Sequence, residues 1–341
     1  TDRTDTGDSA VTSALWWIRR DLRLADNQAL CRAIELAEQV LPVFVLDPSL
    51  LNSDYAGARR INFLMDGLRA LDADLRACGS RLIVREGEPS HVLRQLCDEQ
   101  NVVVVVAEKD VSPFAVKRDK RVERTLENVA VEFVDGVAIR PIGSVRKADG
   151  LPYTVFTPFG RAWRAVPPPS ERALLDAPAS LPTVPDLPGL PIPDSPALPA
   201  AVPFPPGEAE AQRRLGAFVH LDDAPIYRYA EARDRLDQDG TSQLSPYLRL
   251  GMVSARQAVV SAMRAIEAAP SPKARKGAET WLNELIWREF YVHILYHFPH
   301  VRGSSFRPVY DNIPWENDPD AFAAWCQGRT GYPVVDAAMR V

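Results

Sequence analysis

Short apolar runs alternate with amphipathic stretches over the first 140 residues of the chain, which has 341 residues in all. The amphipathic stretches at 27–37, 58–79 and 90–100 have the spacing of helices, whereas the apolar runs resemble fully buried strands. Such strands alternating with helices are typical of a parallel sheet covered on both faces, so we expect an α/β domain. Its predicted strands are ALWWI (14–18), QVLPVFVLD (39–47), RLIVREG (81–87), NVVVVVAE (101–108) and AVEFVDG (130–136).

A proline-rich stretch separates this domain from a helical region. Residues 166–207 hold a large share of the 30 prolines of the chain, a composition that sustains neither helix nor sheet and is typical of an extended connector. Helical periodicity resumes at Glu208. The predicted fold class is therefore α/β, with a Rossmann-like parallel-sheet domain at 11–140, a connector at 141–207 and an all-α domain at 208–341.

Composition excludes few functions. The net charge of −5 gives no global signal for nucleic acid, so a DNA-binding interpretation needs a local basic surface. No apolar run approaches the length of a membrane span and no signal peptide is visible, so we expect a cytoplasmic protein without membrane contact. The four cysteines lack metal-ligand spacing and are interpreted as reduced, buried thiols. The basic stretch at 117–128 is interpreted as a solvated helix face, with a phosphate contact as the alternative.

Two further features of the sequence are candidates for a ligand site or a metal site. WIRRDLRLADNQAL (17–30) follows the first strand, where ligands of open α/β sheets usually bind, but a surface loop with solvated charges is the alternative. No GxGxxG fingerprint accompanies it. His293, His297 and His300 have no acidic or thiol partner at ligand spacing, so we expect packed or capping histidines and no metal.

The segment TSQLSPYLRLG (241–251) has the residues of a phosphate-binding turn. It is interpreted as a polar loop that enters a short helix, with Ser245 as the cap residue, proline after it and Gly251 at the end; Ser254 is expected to cap the next helix. Hydroxyls and free N–H groups at a helix start suit a phosphate. Two ordinary caps joined by a turn explain the same residues.

The segment WLNELIWREFY (281–291) is a helix with an unusual polar side. Two indoles on a mixed face are poorly explained by exposure to solvent, so this side is expected to line a cavity. On a helical wheel one arc holds Trp281, Glu284, Trp287, Arg288 and Tyr291, and the other side holds Leu282, Leu285, Ile286 and Phe290.

Together these segments resemble the DNA photolyase/cryptochrome family, and most closely its bacterial class I cyclobutane-dimer photolyases. The family pattern contains Y-x11-TSxLSPYLxxG and WxxELxWREFY in this order, and Tyr229 stands twelve residues before Thr241 as the pattern requires. The opening WIRRDLRLADNQAL is similar to the family's W-x-RRDLRLxDNxAL. LPYTVFTPFGRAWRA (151–165) is similar to its FTPF-x3-W stretch, which closes the α/β domain.

The resemblance implies that the helical domain binds FAD beside a substrate pocket. Glu284 is the expected catalytic residue in that pocket, and Trp315 matches the surface end of a tryptophan relay that photoreduces the flavin. Positions that match the substrate wall are Trp281, Glu284 and Trp287. Positions that match FAD-binding residues are Tyr229, Thr241, Ser242, Gln243, Leu244, Ser245, Trp281 and Arg288.

Each implied role has a plainer alternative. Glu284 lies one helical turn from Arg288 and would form an ion pair with it. Arg288 taken alone predicts an internal salt bridge, with Glu289 facing outward. Trp315 and Trp325 taken alone are expected to be core residues.

The activity implied by the resemblance is light-dependent repair of cyclobutane pyrimidine dimers in DNA, a lyase reaction. Excited reduced flavin would pass one electron to the dimer, the ring would split, and the electron would return. Glutamate at 284 favours this class over the (6-4) class, which commonly has glutamine there. We expect a monomer whose partner is dimer-containing DNA. The resemblance also implies a possible antenna chromophore, a folate or a deazaflavin, but the sequence does not identify which. A cryptochrome that senses light without repair and a non-catalytic nucleotide-binding α/β module are the alternatives.

The chain ends at Val341 within a helical pattern, whereas family members continue well past this point. We therefore expect a C-terminally truncated photolyase whose flavin domain is incomplete. Such a domain would expose apolar surface, bind FAD weakly or not at all, and be inactive alone.

Overall fold

The computed structural model describes residues 11–53, 55–181, 187–198, 203–219 and 223–340. The chain forms two compact units, Thr1–Pro299 and His300–Val341. The first unit contains the predicted α/β domain and most of the predicted helical domain. Parts of the expected connector, 182–186 and 199–202, lie outside the described residues.

Five parallel strands form the sheet, in the order β3-β2-β1-β4-β5. These strands are β1 (Ser13–Ile18), β2 (Gln39–Leu46), β3 (Ile83–Glu86), β4 (Val102–Glu108) and β5 (Ala130–Val134). Successive side chains of a strand point to opposite faces, so Trp16 and Trp17 of the central strand β1 pack into two different cores. All five strand predictions are confirmed.

Helices cover both faces of this sheet. They are α1 (Gln28–Leu36), α2 (Pro48–Leu51), α3 (Ala58–Ala77), α4 (Pro89–Glu99) and α5 (Pro113–Thr125). Leu30 and Leu68, from α1 and α3, share a core with Trp16. Helix α5 begins earlier than predicted because Ser112 caps it ahead of Pro113.

The interpretation of α5 as a solvated basic face is right only in part. Arg118 and Asp119 form a largely buried ion pair at 2.8 Å. The Cζ atom of Arg118 lies 4.8 Å from the centroid of the Trp17 ring. The side chains of Lys117 and Lys120 are exposed, as predicted.

The described part of the connector runs beside the sheet edge. It contains helix α6 (Phe156–Ala165) and a short 3-10 helix at Glu171–Ala173. The N–H of Leu190 donates to the carbonyl oxygen of Val84 in β3 at 2.9 Å. The proline-rich chain therefore covers an edge strand that would otherwise expose unpaired backbone groups.

The rest of the first unit is helical in the described residues. Its helices are α7 (Glu208–Val219), α8 (Tyr229–Ala232), α9 (Ser245–Leu250), α10 (Ala255–Glu267) and α11 (Pro272–His297), with a 3-10 helix at Pro225–Arg228. Gly251 ends α9 in the left-handed region, at φ 68°, and Ser254 forms a capping box with Gln257 at the start of α10. Both of these cap positions confirm the prediction.

The loop after β1 holds the end of α9 against the sheet. Arg23 is buried; it donates to the carbonyl oxygen of Gly251 at 3.1 Å and to Glu108 at 2.6 Å. A Cβ atom at Gly251 would overlap the carbonyl group of Arg20, so only glycine fits there. The alternative interpretation of this segment as a solvated surface loop is therefore wrong.

The second unit contains α12 (Pro319–Cys326) and α13 (Pro333–Arg340). Short 3-10 helices lie at Pro299–Arg302 and Pro308–Tyr310. Trp315 is 71% exposed and Trp325 is 44% exposed. The alternative expectation that these two tryptophans are core residues is therefore wrong.

The cysteines are free thiols, as predicted, but their burial differs. Cys97 is buried, Cys31 and Cys78 are half-buried, and Cys326 is exposed. The expectation of buried thiols thus holds for one of them. Across the described part of the chain, no helix combines the length and apolar character needed to cross a membrane.

Candidate functional site

Helix α11 carries most of the predicted site residues. Ser271 caps it by accepting the N–H of Ala274 at 3.2 Å, and Pro272 follows as its first residue. Trp281 is buried, although the helical wheel placed it on the mixed side. The predicted apolar side is buried as expected, with Leu282, Leu285, Ile286 and Phe290.

Glu284 forms an ion pair with Arg233, which follows α8. Nη1 of Arg233 lies 2.5 Å from Oε1 of Glu284, and the two side chains are 35% and 38% exposed. The expected alternative pairing of Glu284 with Arg288 is wrong, because Arg288 donates to the carbonyl oxygen of Val137 at 2.9 Å. The Arg233–Glu284 pair therefore presents a donor and an acceptor side by side to the solvent.

Glu289 is buried, so the expectation that it faces outward is wrong. Its carboxylate accepts the N–H groups of Ile139 at 2.8 Å and Arg140 at 3.0 Å. Burial raises the pKa of Glu289, and burial lowers the pKa of Arg288 to about 10. Both residues thus anchor α11 to the segment that follows β5, which has no strand partner for its N–H groups.

An open cavity of about 700 Å³ lies beside α6, α10 and α11. The carboxylates in its lining are Glu284 and Glu279, and Arg275 pairs with Glu279 at 2.9 Å. Basic residues outnumber them. They are Arg164, Arg233, Arg275 and Lys276. This wall is a local basic surface on a chain whose net charge is −5.

Trp287 lines the same cavity. Phe156, the first residue of α6, stacks on it with ring centroids 3.6 Å apart and an angle of 6° between the planes. The exposed ring of Tyr291 lies 5.6 Å from Trp287. An indole held in this way offers a flat apolar surface at the edge of a charged space.

The predicted phosphate-binding turn lies at the start of α9. That helix begins at Ser245 itself, Leu244 precedes it, and no side chain caps it, so the interpretation of Ser245 as a cap residue is wrong. The side-chain hydroxyl of Ser245 therefore stays available to a ligand. The accessible hydroxyl groups of this turn belong to Thr241, Ser242 and Ser245.

Trp281 contacts this turn. Its Nε1 atom lies 3.4 Å from Oγ of Ser242. Phe218 lies between Trp281 and Tyr229, with ring centroids 5.2 Å and 6.0 Å away. The predicted residues thus form two groups: Tyr229, Trp281 and the 241–245 turn in one, and Glu284 with Trp287 at the cavity in the other.

Three residues in contact with these groups were not predicted. Arg233 follows Tyr229 by one helical turn. If the short helix α8 had been predicted, this spacing would have placed Arg233 on the same side as Tyr229. Phe156 belongs to the FTPF stretch, which was interpreted only as the end of the α/β domain. Arg214 donates to the side chain of Gln243 at 2.7 Å, and no pattern in the sequence indicates that contact.

His293 and His297 lie further along α11, and His300 lies in the 3-10 helix Pro299–Arg302. His293 is packed, as predicted: Nε2 lies 3.1 Å from the carbonyl oxygen of Tyr153, and its ring lies 4.6 Å from that of His297. Burial lowers the pKa of His293 to about 4. Within the described residues, no three His, Cys, Asp or Glu side chains are grouped as metal ligands would be.

Comparisons with known proteins bear on the family to which the chain belongs. The sequence profile described as DNA photolyase matches residues 14–180, and the profile described as FAD binding domain of DNA photolyase matches residues 281–341. A deoxyribodipyrimidine photo-lyase from Synechococcus sp. is 36% identical over 96% of this chain and 69% of its own length. The crystal structure of a bacterial class III photolyase from Agrobacterium tumefaciens has a TM-score of 0.84 and 29% identity, covering 99% of this chain and 70% of that chain. The crystal structure of an archaeal photolyase from Sulfolobus tokodaii with two FAD molecules has a TM-score of 0.78 and 28% identity, covering 96% of this chain and 70% of that chain.

Proposed function

This chain belongs to the DNA photolyase/cryptochrome family, and from that premise we propose that it repairs cyclobutane pyrimidine dimers in DNA under light. The observation that carries the proposal is the cavity beside α11. There the Arg233–Glu284 ion pair and the indole of Trp287 line one space.

The cavity has the chemistry that a flipped pyrimidine dimer needs. Such a lesion is carbonyl-rich, carries imide N–H groups and is flanked by phosphates. Trp287 offers a stacking surface, an interaction worth about 1–3 kcal/mol per base in comparable sites. Glu284 accepts from an imide N–H while Arg233 donates to a carbonyl oxygen. Lys276 supplies positive charge for a phosphate nearby.

Arg233 also has an electrostatic part in the reaction. Negative charge develops on the carbonyl oxygens of the dimer when it accepts an electron. A guanidinium already held by Glu284 stabilises that charge without reorganising. We therefore assign catalysis to Glu284 acting together with Arg233, and substrate contact to Glu284 and Trp287. Trp281 was also expected at the substrate wall, but it is buried against the 241–245 turn and outside this cavity lining, so we assign it to FAD alone.

FAD is the cofactor of the family's helical domain, and the start of α9 suits it. The accessible hydroxyls there would donate to phosphate oxygens of the cofactor, and Trp281 closes one side of this turn through Ser242. Arg288 differs, since its Nη1 already donates to the carbonyl oxygen of Val137 at 2.9 Å and a ligand would be met by its other N–H groups. When bound and reduced, the flavin supplies the photoexcited electron. The residues we assign to FAD are Tyr229, Thr241, Ser242, Gln243, Leu244, Ser245, Trp281 and Arg288.

Two further assignments complete the proposal. Trp315 is the outer member of the tryptophan relay, and its indole is exposed to an external reductant. The antenna chromophore is a folate, a deazaflavin or a flavin; the archaeal photolyase with two FAD molecules supports the last. The protein acts as a monomer on dimer-containing DNA.

Light-dependent loss of dimers from a DNA duplex tests the proposal. Glu284→Ala and Trp287→Ala are each expected to lower the repair rate about tenfold or more, because each removes a contact to the dimer. Glu35→Ala is the matched control. Its carboxylate also forms an accessible ion pair, at 3.0 Å to Arg32, but on α1. The repair rate of the Glu35→Ala variant is expected to equal that of the wild type.

Two results would contradict the proposal. One is wild-type repair rates in both the Glu284→Ala and the Trp287→Ala variant. The other is a wild-type protein whose flavin responds to light while dimers persist, which is the behaviour of a cryptochrome.

A further inference from the structure

Phe156 and Trp287 form an aromatic stack of unusual geometry. Their ring centroids are 3.6 Å apart and their planes differ by 6°, whereas aromatic pairs prefer offset or edge-on arrangements at about 4.5–7 Å. Phe290 meets both rings edge-on, at 5.8 Å and 5.7 Å. Because a face-to-face stack is not the preferred geometry of two such rings, their surroundings must hold them in place.

Helix α6 is held by contacts outside the stack. Arg140 donates to the carbonyl oxygen of Trp163 at 2.8 Å, and its guanidinium lies 4.4 Å from the centroid of the Trp163 ring. Arg164 donates to Oδ1 of Asn283 at 3.0 Å. Asn283 precedes Trp287 by one turn of α11, so α6 is tied to the helix that carries the indole. The position of Phe156 is therefore set independently of Trp287.

Phe156 limits how a planar ligand can stack on Trp287. Trp287 lines the cavity, Phe156 occupies one face of its indole, and the ring of Tyr291 lies offset against it at 5.6 Å and 25°. A planar ligand can therefore stack only on the part of the indole that these two rings leave uncovered. A side chain that is fixed before the ligand arrives loses less rotational freedom on binding. We propose that Phe156 is a positioning residue, which fixes Trp287 in the orientation that selects a flipped dimer. This inference rests on the proposed function.

Binding of DNA in the dark tests the inference without the repair step. The measurement is the ratio of the Kd for undamaged duplex to the Kd for the same duplex with one dimer. Phe156→Leu keeps an apolar side chain but removes the ring, and is expected to lower this ratio about fivefold through weaker binding of the dimer duplex. Phe156→Met, which is flexible, is expected to do the same, and Phe156→Tyr to keep the ratio.

Phe159→Leu is the matched control. Phe159 lies in the same helix and contacts Phe290 and His293, at 5.2 Å and 5.0 Å, but not Trp287. A general loss of packing would lower the ratio in this variant too, whereas a positioning role leaves it at the wild-type value. In a Trp287→Ala background, Phe156→Leu is expected to have no further effect.

The inference is overturned if Phe156→Leu and Phe156→Met leave the ratio unchanged while Trp287→Ala lowers it, a result that spares the proposed function. It is also overturned if either variant raises the ratio, because Phe156 would then be a plug that the dimer displaces. A ratio that Trp287→Ala does not alter would count against the proposed function itself, and the inference would fall with it.

Discussion

Glu284 and Glu289 are the same residue type five positions apart on α11, and their surroundings differ in every respect. The side chain of Glu284 is 38% exposed and pairs with one cation at an open cavity. Glu289 is buried and accepts two backbone N–H groups from the segment after β5. One carboxylate joins the helix to the rest of the first unit, and the other is left accessible to a ligand. Under the proposed function, one side of α11 therefore stabilises the fold and the other side recognises the substrate.

The largest expected effect is on the buried side. Glu289→Ala leaves the N–H groups of Ile139 and Arg140 buried without an acceptor, so we expect it to lower the free energy of unfolding by about 3 kcal/mol. Glu284→Ala is expected to lower it by less than about 1 kcal/mol, as is usual for an accessible ion pair. Urea unfolding followed by circular dichroism measures both. Equal losses in the two variants would refute the division between the sides.

The next effect is a pH dependence from the same buried side. The pKa of His293 is lowered to about 4 by burial, below the value of about 6.5 in an unfolded chain. The unfolded state therefore binds the proton first as pH falls, and the contribution of His293 to stability, complete above pH 6.5, is lost between about pH 6.5 and 4. After allowance for residual solvent screening, we expect a loss of about 1–2 kcal/mol.

A variant isolates this contribution. His293→Gln retains a donor for the carbonyl oxygen of Tyr153 but does not titrate, so its free energy of unfolding should fall less steeply over this range. His91→Gln is the control, because the side chain of His91 is exposed on α4. Parallel pH profiles for the wild type and His293→Gln would show that protonation of His293 does not oppose folding.

The sheet was predictable because its signal is local. Strand β4 reads VVVVVAE, and a continuous apolar run between helical stretches has few interpretations other than a strand buried on both faces. The cap positions at Gly251 and Ser254 were predictable for the same reason. Each depends on backbone and side-chain groups within a few residues.

The site was less predictable because its contacts are distant in sequence. A helical wheel places Trp281 and Arg288 on one arc, yet Trp281 meets Ser242 and Arg288 meets Val137. A helical wheel gives the direction of each side chain around the helix axis. It does not give the neighbouring segment that each side chain meets along the length of the helix. Glu289 was expected to face outward because its donors lie about 150 residues earlier in the chain, and nothing near Glu289 indicates them.

The smallest expected effect tests the accessible side alone. In a double-mutant cycle with Arg233→Met and Glu284→Gln, we expect a coupling energy of about 0.5 kcal/mol in the free energy of unfolding, because solvent screens a pair that is more than one third exposed. The same cycle measured on the dimer-repair rate should show a larger coupling, since a bound ligand would exclude that solvent. A coupling in stability as large as the effect of Glu289→Ala would mean that Glu284 also serves to hold the fold. The two glutamates would then differ in exposure but not in role.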